Sequence, residues 1–378
     1  MKSLVCVLWV LSLVALSVRG EMKLVKSVDI PDPLSLFDGV VFNWDSQFYV
    51  LLGLEGGIVT ERAQIWRFTP DGNQTGKLEI PFSCPSEPDD CHIFYRSYTF
   101  TQPGRVTILF SAQEAQVFLM YEIDLSTFTV LPGRPFLGQA PSEKLQPNSL
   151  IRVDDQTAIV ASIADYCELQ SFDTRSGLNF SQAISSSLPT VALLKAGVFY
   201  PRDAVQIDLS DAYLLGFGFS LSNTNGLSIF RISWVDPHKN PTNEPFTPPF
   251  SAYYALLTPD NRVLFLVGQD LGLMLATYQI NGQFPPANAI VAPLQNTSGV
   301  DQAFADDTNL FVVGADWDDE ETVFQFSIAN DAKPTLVGTI GLSDQALATN
   351  DLLSGQLMTS HQAFVLPVGD QIQFFTYN

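Results

Sequence analysis

Apolar positions in this chain fall into short runs of β-branched and aromatic residues separated by polar turns, with little of the three-to-four-residue spacing of an amphipathic helix. That pattern predicts strands throughout, an all-β chain. One segment recurs seven times: an apolar strand ending in a small residue and then, in most copies, a carboxylate. The copies read "FYVLLGLE", "VTILFSAQE", "TAIVASIAD", "AYLLGFGF", "RVLFLVGQD", "NLFVVGAD" and "AFVLPVGD". A second segment follows each by a few residues, with an apolar residue three before a large one. Its final positions are Phe68, Tyr121, Phe172, Ile232, Tyr278, Phe326 and Phe375, spaced by 53, 51, 60, 46, 48 and 49 residues. Both segments keep the same count and period, the signature of a repeat architecture.

A further strand precedes each first segment across a tight polar turn such as "NWDSQ", "TPDNR" or "ADDTN", which are hairpin signals. A turn such as "PDGN" and a short fourth strand follow each second segment. Each unit is thus a four-stranded meander of about 50 residues, the size of one propeller blade. The chain resembles β-propellers as an architecture, and the resemblance spans residues 21–378 as one domain: seven blades of four antiparallel strands. The last unit stops at its third strand, "QIQFFTYN", while "MKLVKSVDIP" near the start is an orphan strand similar to "TGKLEIP". Pairing the two completes the seventh blade and removes an open edge that would invite aggregation. There is no "GH…WD" pair, double-glycine signature or repeated calcium-loop consensus. The resemblance therefore implies a fold and no activity.

Residues 1–20, "MKSLVCVLWVLSLVALSVRG", have a basic start, an apolar run and small residues at the end. They read as a secretory signal cleaved before Glu21, the run being short of the ~20 residues a bilayer span needs. Cleavage removes Lys2 and Arg19, leaving 17 basic against 40 acidic residues and a formal net charge of −23. Such a surface argues against nucleic acid and favours cationic partners or metal ions. Charged residues make up only 16% of the chain and aromatic residues 12%, so the acidity belongs to a folded domain and not to a disordered tail. Three sequons, at Asn73, Asn179 and Asn296, stand beside turn residues where a glycan can be carried outside the core, whereas "NPT" at Asn240 is blocked by its proline. Of the cysteines left after cleavage, Cys84 and Cys91 in "CPSEPDDC" read as a disulfide-stapled loop. Cys167 is left to compete for one of them, to stay a buried thiol or to join another chain.

In a four-stranded blade the loops between second and third strands share one face with the connections between blades. The carboxylates that end the first segment, Glu55, Glu114, Asp165, Asp270, Asp316 and Asp370, are therefore expected around one mouth of the channel, with Asp318 and Asp319 of the sixth-blade loop "WDDEE" beside them. Strand ends need polar residues anyway, and Asp is a common turn former. A sharper reading has these oxygens hold a hard cation such as calcium, from ligands contributed by separate blades. His92, His238 and His361 lie in three different units without a nucleophile elbow or metalloprotease motif, so each reads as a surface or turn histidine. The expectation is a secreted, monomeric propeller that binds a protein or carbohydrate through its acidic face without a cofactor. The alternative is a carboxylate-based hydrolase or lyase of the glycosidase kind, with calcium as an optional ligand, whose paired carboxylates serve as acid and base. A third reading is an extracellular structural protein.

Overall fold

A strand reads as an unbroken apolar run when both of its faces are packed, and the second and third strands of the repeat are of that kind. A computed structural model describes residues 22–377 apart from residues 32–33, 55–61, 83–92, 103, 113–116, 133–135, 140–145, 153–156, 164–166, 174–178, 185–190, 200–211, 221–224, 234–241, 247–253, 259–261, 270–271, 280–289, 298, 316–320 and 343–354. After β1 (Lys23–Asp29), the described strands fall into units. The first holds β2 (Leu34–Trp44), β3 (Gln47–Leu54), β4 (Arg62–Phe68) and β5 (Gln74–Pro81). The second holds β6 (Ile93–Gln102), β7 (Arg105–Ala112), β8 (Val117–Asp124), β9 (Thr129–Val130) and β10 (Phe136–Gln139), and the third β11 (Gln146–Arg152), β12 (Thr157–Ile163), β13 (Cys167–Asp173) and β14 (Asn179–Ile184). The fourth holds β15 (Val191–Phe199), β16 (Ala212–Ser220), β17 (Asn225–Ser233) and β18 (Thr242–Phe246), and the fifth β19 (Tyr254–Leu257), β20 (Arg262–Gln269), β21 (Gly272–Gln279) and β22 (Ile290–Pro293). The sixth holds β23 (Gln302–Ala305), β24 (Asn309–Ala315), β25 (Glu321–Ser327) and β26 (Thr335–Gly341). The last holds β27 (Gln356–Met358), β28 (Ala363–Val368) and β29 (Gln371–Thr376).

Among the described residues these strands pair into seven antiparallel sheets, each running from inner to outer strand in chain order. The last sheet is completed by β1, which pairs with β29 from Lys23 opposite Thr376 to Asp29 opposite Gln371, as the orphan-strand reading expected. Inner strands of successive sheets adjoin one another from β19 through β23, β27, β2, β6 and β11 to β15. The first and last sheets are tied at the channel, where the Asn43 side-chain amide donates to the Leu357 carbonyl (2.6 Å). The second sheet departs from the four-strand expectation because its outer strand is split into β9 and β10. The intervening "LPGRP" carries two prolines, which cannot donate to a ladder.

The core is a set of layers between neighbouring sheets. Phe48, Val50 and Leu52 of β3 pack toward the last sheet, where Phe374 stacks among them, while Tyr49 and Leu51 face the second sheet. Likewise β24 sends Phe311 and Val313 one way and Leu310 and Val312 the other. Each such side chain contributes roughly 1.5–3 kcal/mol through burial. This double packing explains why the run is apolar at every position. Outer strands, with one edge in solvent, instead alternate between exposed and part-buried positions, as in β5 and β26.

Four outer strands share a feature that the repeat pattern does not show. Opposite the large residue that ends each third-strand segment, the outer strand carries one extra residue: Val25 opposite Phe375 and Phe374, Thr75 at Phe68, Phe180 at Phe172, and Val337 at Phe326. A bulge interrupts the ladder and twists the strand, so a free edge no longer presents a regular template for pairing.

Candidate acidic mouth

Because every sheet has the same strand order, the ends of β3, β7, β12, β20, β24 and β28 run to one face, together with the starts of the inner strands. Of the carboxylates expected there, Asp370 is described: it is exposed in the turn after β28, and its carbonyl accepts from the Ile30 amide (2.9 Å). Asp29, at the end of β1 beside it, accepts from the Gln371 side chain (2.8 Å). Glu55, Glu114, Asp165, Asp270, Asp316, Asp318 and Asp319 lie outside the described residues, as do Cys84, Cys91, His92 and His238. Cys167 opens β13 opposite Ile163.

The sixth sheet adds a carboxylate that sequence reasoning missed. Asp301 lies in the connection that leads into β23, where its amide donates to the Val313 carbonyl (2.8 Å). Asp301 is an exposed residue; partial desolvation of its carboxyl, and then the charge of Glu321, push it above the usual carboxylate range. Glu321 is the first residue of β25, paired with Ala315, so the last residue of "WDDEE" belongs to a strand and not to the loop. The two carboxylates are brought together by a close backbone crossing. A Cβ on Gly314 would meet the Gly299 carbonyl carbon at 2.9 Å and Val300 Cα at 3.1 Å, so only glycine lets the connection lie against the end of β24. Here the small residue of the repeat has a physical reason.

A carboxyl with a raised folded-state pKa holds its proton more tightly when folded. The stability it gives is complete below the unfolded pKa of about 3.9 and is lost as pH rises through the folded value. Asp301→Asn should therefore lessen the loss of melting temperature between pH 3.5 and 7 relative to wild type. Identical pH profiles for the two proteins would refute that assignment.

The mouth is lopsided. Inner strands β2, β6, β11 and β15 each slip register near their first residues, gaining residues 36–39, Arg96, Asn148 and Leu194. Inner strands β23 and β27 are only 4 and 3 residues long and keep register, and β19 keeps register over its described residues. Bulges of this kind re-aim backbone and side chains, and they gather beside functional sites.

The opposite face is built for structure. Asp306 is buried in the turn between β23 and β24, where it accepts from the amides of Thr308 (2.7 Å) and Asn309 (2.6 Å) and from the Thr359 hydroxyl (3.1 Å) in the last sheet. Burial, and next the Asp306 charge, push the Tyr377 hydroxyl far up. His361 is exposed on a short 3-10 turn (Thr359–His361), its Nδ1 2.9 Å from the Ser360 hydroxyl. Among the described residues no three His, Cys, Asp or Glu side chains gather to hold a metal ion, and no helix is long and apolar enough to cross a membrane.

No family model matches the chain, and no curated protein matches it. Among the solved structures that are similar, two align over nearly the whole length. Hydrazine synthase from Kuenenia stuttgartiensis aligns over 92% of this chain and 96% of its own, at 11% identity and a TM-score of 0.54. The Dos1 propeller aligns over 94% of each chain, at 9% identity and a TM-score of 0.50. Likeness at such low identity concerns the fold alone. The fold is propeller-like.

Proposed function

We propose that this chain is a secreted, seven-bladed propeller that acts as a binding module, taking a cationic segment of a protein partner at its acidic mouth. The observation that carries the reading is the pair Asp301 and Glu321. Two carboxylates from different elements are held close enough for one to raise the other, and Asp316, Asp318, Asp319 and Glu320 precede Glu321 in sequence. A field of one sign in a partly desolvated mouth attracts the opposite charge and speeds its encounter. The bulged inner strands of the first four sheets supply irregular polar backbone on the other side of the mouth, where a partner's orientation can be read.

The test is binding of fluorescent octalysine and of a neutral oligosaccharide to the mature protein, followed by anisotropy at low and moderate salt. Octalysine should bind and weaken about tenfold or more with added salt, and the combined change Asp301→Asn, Asp318→Ser, Asp319→Ser, Glu320→Ser, Glu321→Gln should abolish the signal while leaving the melting curve cooperative. Salt-insensitive binding, or an unaffected variant, would overturn the reading.

The Asp301 carboxyl, raised and next to the charge of Glu321, also favours a second reading, the carboxylate-based hydrolase, in which one carboxyl of a pair serves as general acid. Turnover of chromogenic glycosides that disappears in Asp301→Asn would select it over the binding module.

A further inference from the structure

β1 is the strand whose loss would open the ring: a ladder bonds it to β29, from which it is separated by nearly the whole chain. Burial does little to hold it. From Lys23 to Asp29 its residues are exposed apart from the half-buried Lys26 and Val28. Its firm apolar anchors, Met22 and Ile30, lie just beyond its two ends. A strand held mainly by solvent-facing backbone bonds opens locally at low cost.

One turn of the first sheet supplies the rest of the hold. Between β4 and β5 the Thr69 amide donates to the Asn73 carbonyl (2.9 Å) and the Gly72 amide to the Thr69 carbonyl (2.9 Å), with Gly72 at φ 79°. This turn sits directly on the closure. A Cβ on Gly72 would meet Phe374 Cδ2 of β29 at 2.7 Å and Lys26 Cβ of β1 at 3.1 Å. The Lys26 ammonium completes the seat by donating to Asn73 Oδ1 (2.9 Å).

Asn73 is also the exposed asparagine of the sequon "NQT". Its side-chain nitrogen carries two hydrogens: one goes to Asp71 Oδ2 (2.7 Å), and the other has no acceptor among the described residues. A sugar on Nδ2 is therefore compatible with the bonds that hold the turn. The Thr75 hydroxyl, in contrast, is engaged, accepting from Arg67 Nε (3.1 Å) and donating to Gln47 Oε1 (3.0 Å). The sequon is thus open to modification before the turn forms, and a glycan added then ends up at the seam between β1 and the first sheet.

We propose that Asn73 carries an N-linked glycan that locks the closing strand, keeping β1 from being drawn off β29 and cut beside Lys26. In the transfer, C1 of a lipid diphosphate-linked oligosaccharide bonds to Asn73 Nδ2; the C1–O bond to the diphosphate breaks, the lipid diphosphate leaves, and Nδ2 loses one proton. A protease that reads Lys26 must pull its side chain away from Asn73 Oδ1, which shares a carboxamide with the attachment atom, so the bulky sugar stands in its path. This inference rests on the proposed reading of the chain as a secreted protein.

The experiment uses mature protein from a eukaryotic secretory host. Peptide mass spectrometry reads occupancy of Asn73, and native-state trypsin digestion reads the rate of cutting after Lys23 and Lys26. Wild type should be occupied and cut slowly. Trimming the folded protein to a single sugar should speed those cuts about tenfold or more, with melting temperature unchanged. Asn73→Gln should be cut as fast as trimmed wild type or faster, since the Lys26 contact goes as well, and trimming that variant should add nothing. A further rise there would move the protection to another site and overturn the role of Asn73. An occupied Asn73 whose trimming leaves the cuts in β1 unchanged would overturn the lock. An unoccupied Asn73 in wild type would overturn the glycan itself, and the peptide mass separates that outcome from the others.

Discussion

Gly314→Ala should destabilise the protein by about 3 kcal/mol, at the upper end of what overpacking by one carbon costs. The atoms that the new Cβ would meet are backbone, Gly299 and Val300, and cannot step aside as the tip of a flexible side chain can. Relief requires the connection between β22 and β23 to lift off the end of β24, which carries Asp301 away from Glu321. The variant should accordingly lose octalysine affinity along with stability in chemical denaturation. Gly341→Ala is the control: a Cβ there has nothing within 4 Å, so its stability should lie within about 0.5 kcal/mol of wild type. Equal stability of the two variants would refute the close crossing.

Arg262→Ala should cost about 3–5 kcal/mol, the range for removing one partner of a buried ion pair. Arg262 is only 5% exposed at the start of β20, yet its partners belong to the sixth sheet. Its guanidinium donates to the Ile328 carbonyl (3.0 Å), to the Asp307 carbonyl and to the Asp331 carboxylate. Truncation leaves a carboxylate and two carbonyls without that donor in a seam where water has little access. Arg262→Lys keeps the charge but loses the planar fork that reaches all three acceptors, so it should recover less than half of the loss. Urea denaturation monitored by tryptophan fluorescence measures both; full recovery by lysine would show that charge alone, and not the fork, holds the seam.

Much of the architecture was legible in the chain because double packing writes a simple pattern. The seven runs that end in small residues fall on β3, β7, β12, β16, β20, β24 and β28, and the second segments fall on the strands that follow. The terminal pairing was legible for a related reason: an orphan strand and an incomplete unit are visible when every other unit is whole. What escaped was anything that depends on one residue more or less. The bulge at Thr75 or at Arg96 leaves the apolar pattern almost unchanged, because the residues on either side resume it. Asp301 escaped because it lies in a connection that belongs to no recurring segment, and its neighbour Glu321 reaches it through the pairing of β24 with β25. The loop "WDDEE" drew attention by composition, but the described carboxyl with a raised proton affinity, Asp301, lies beside Glu321 and 20 residues from it in sequence.

The ladder between β1 and β29 joins residues 342 positions apart, as Asp29 and Gln371 show. β1 has to wait for β29. Loop closure over that distance has to be met before any contact of the ladder rewards it, which makes closure the slow, late event in folding. Until then a nascent chain carries two unsealed ends, β1 on one side and the edge of the last sheet on the other, both recognisable to chaperones. Any chain cut short before β29 keeps both ends open, so ring completion also reports that β29 has been made.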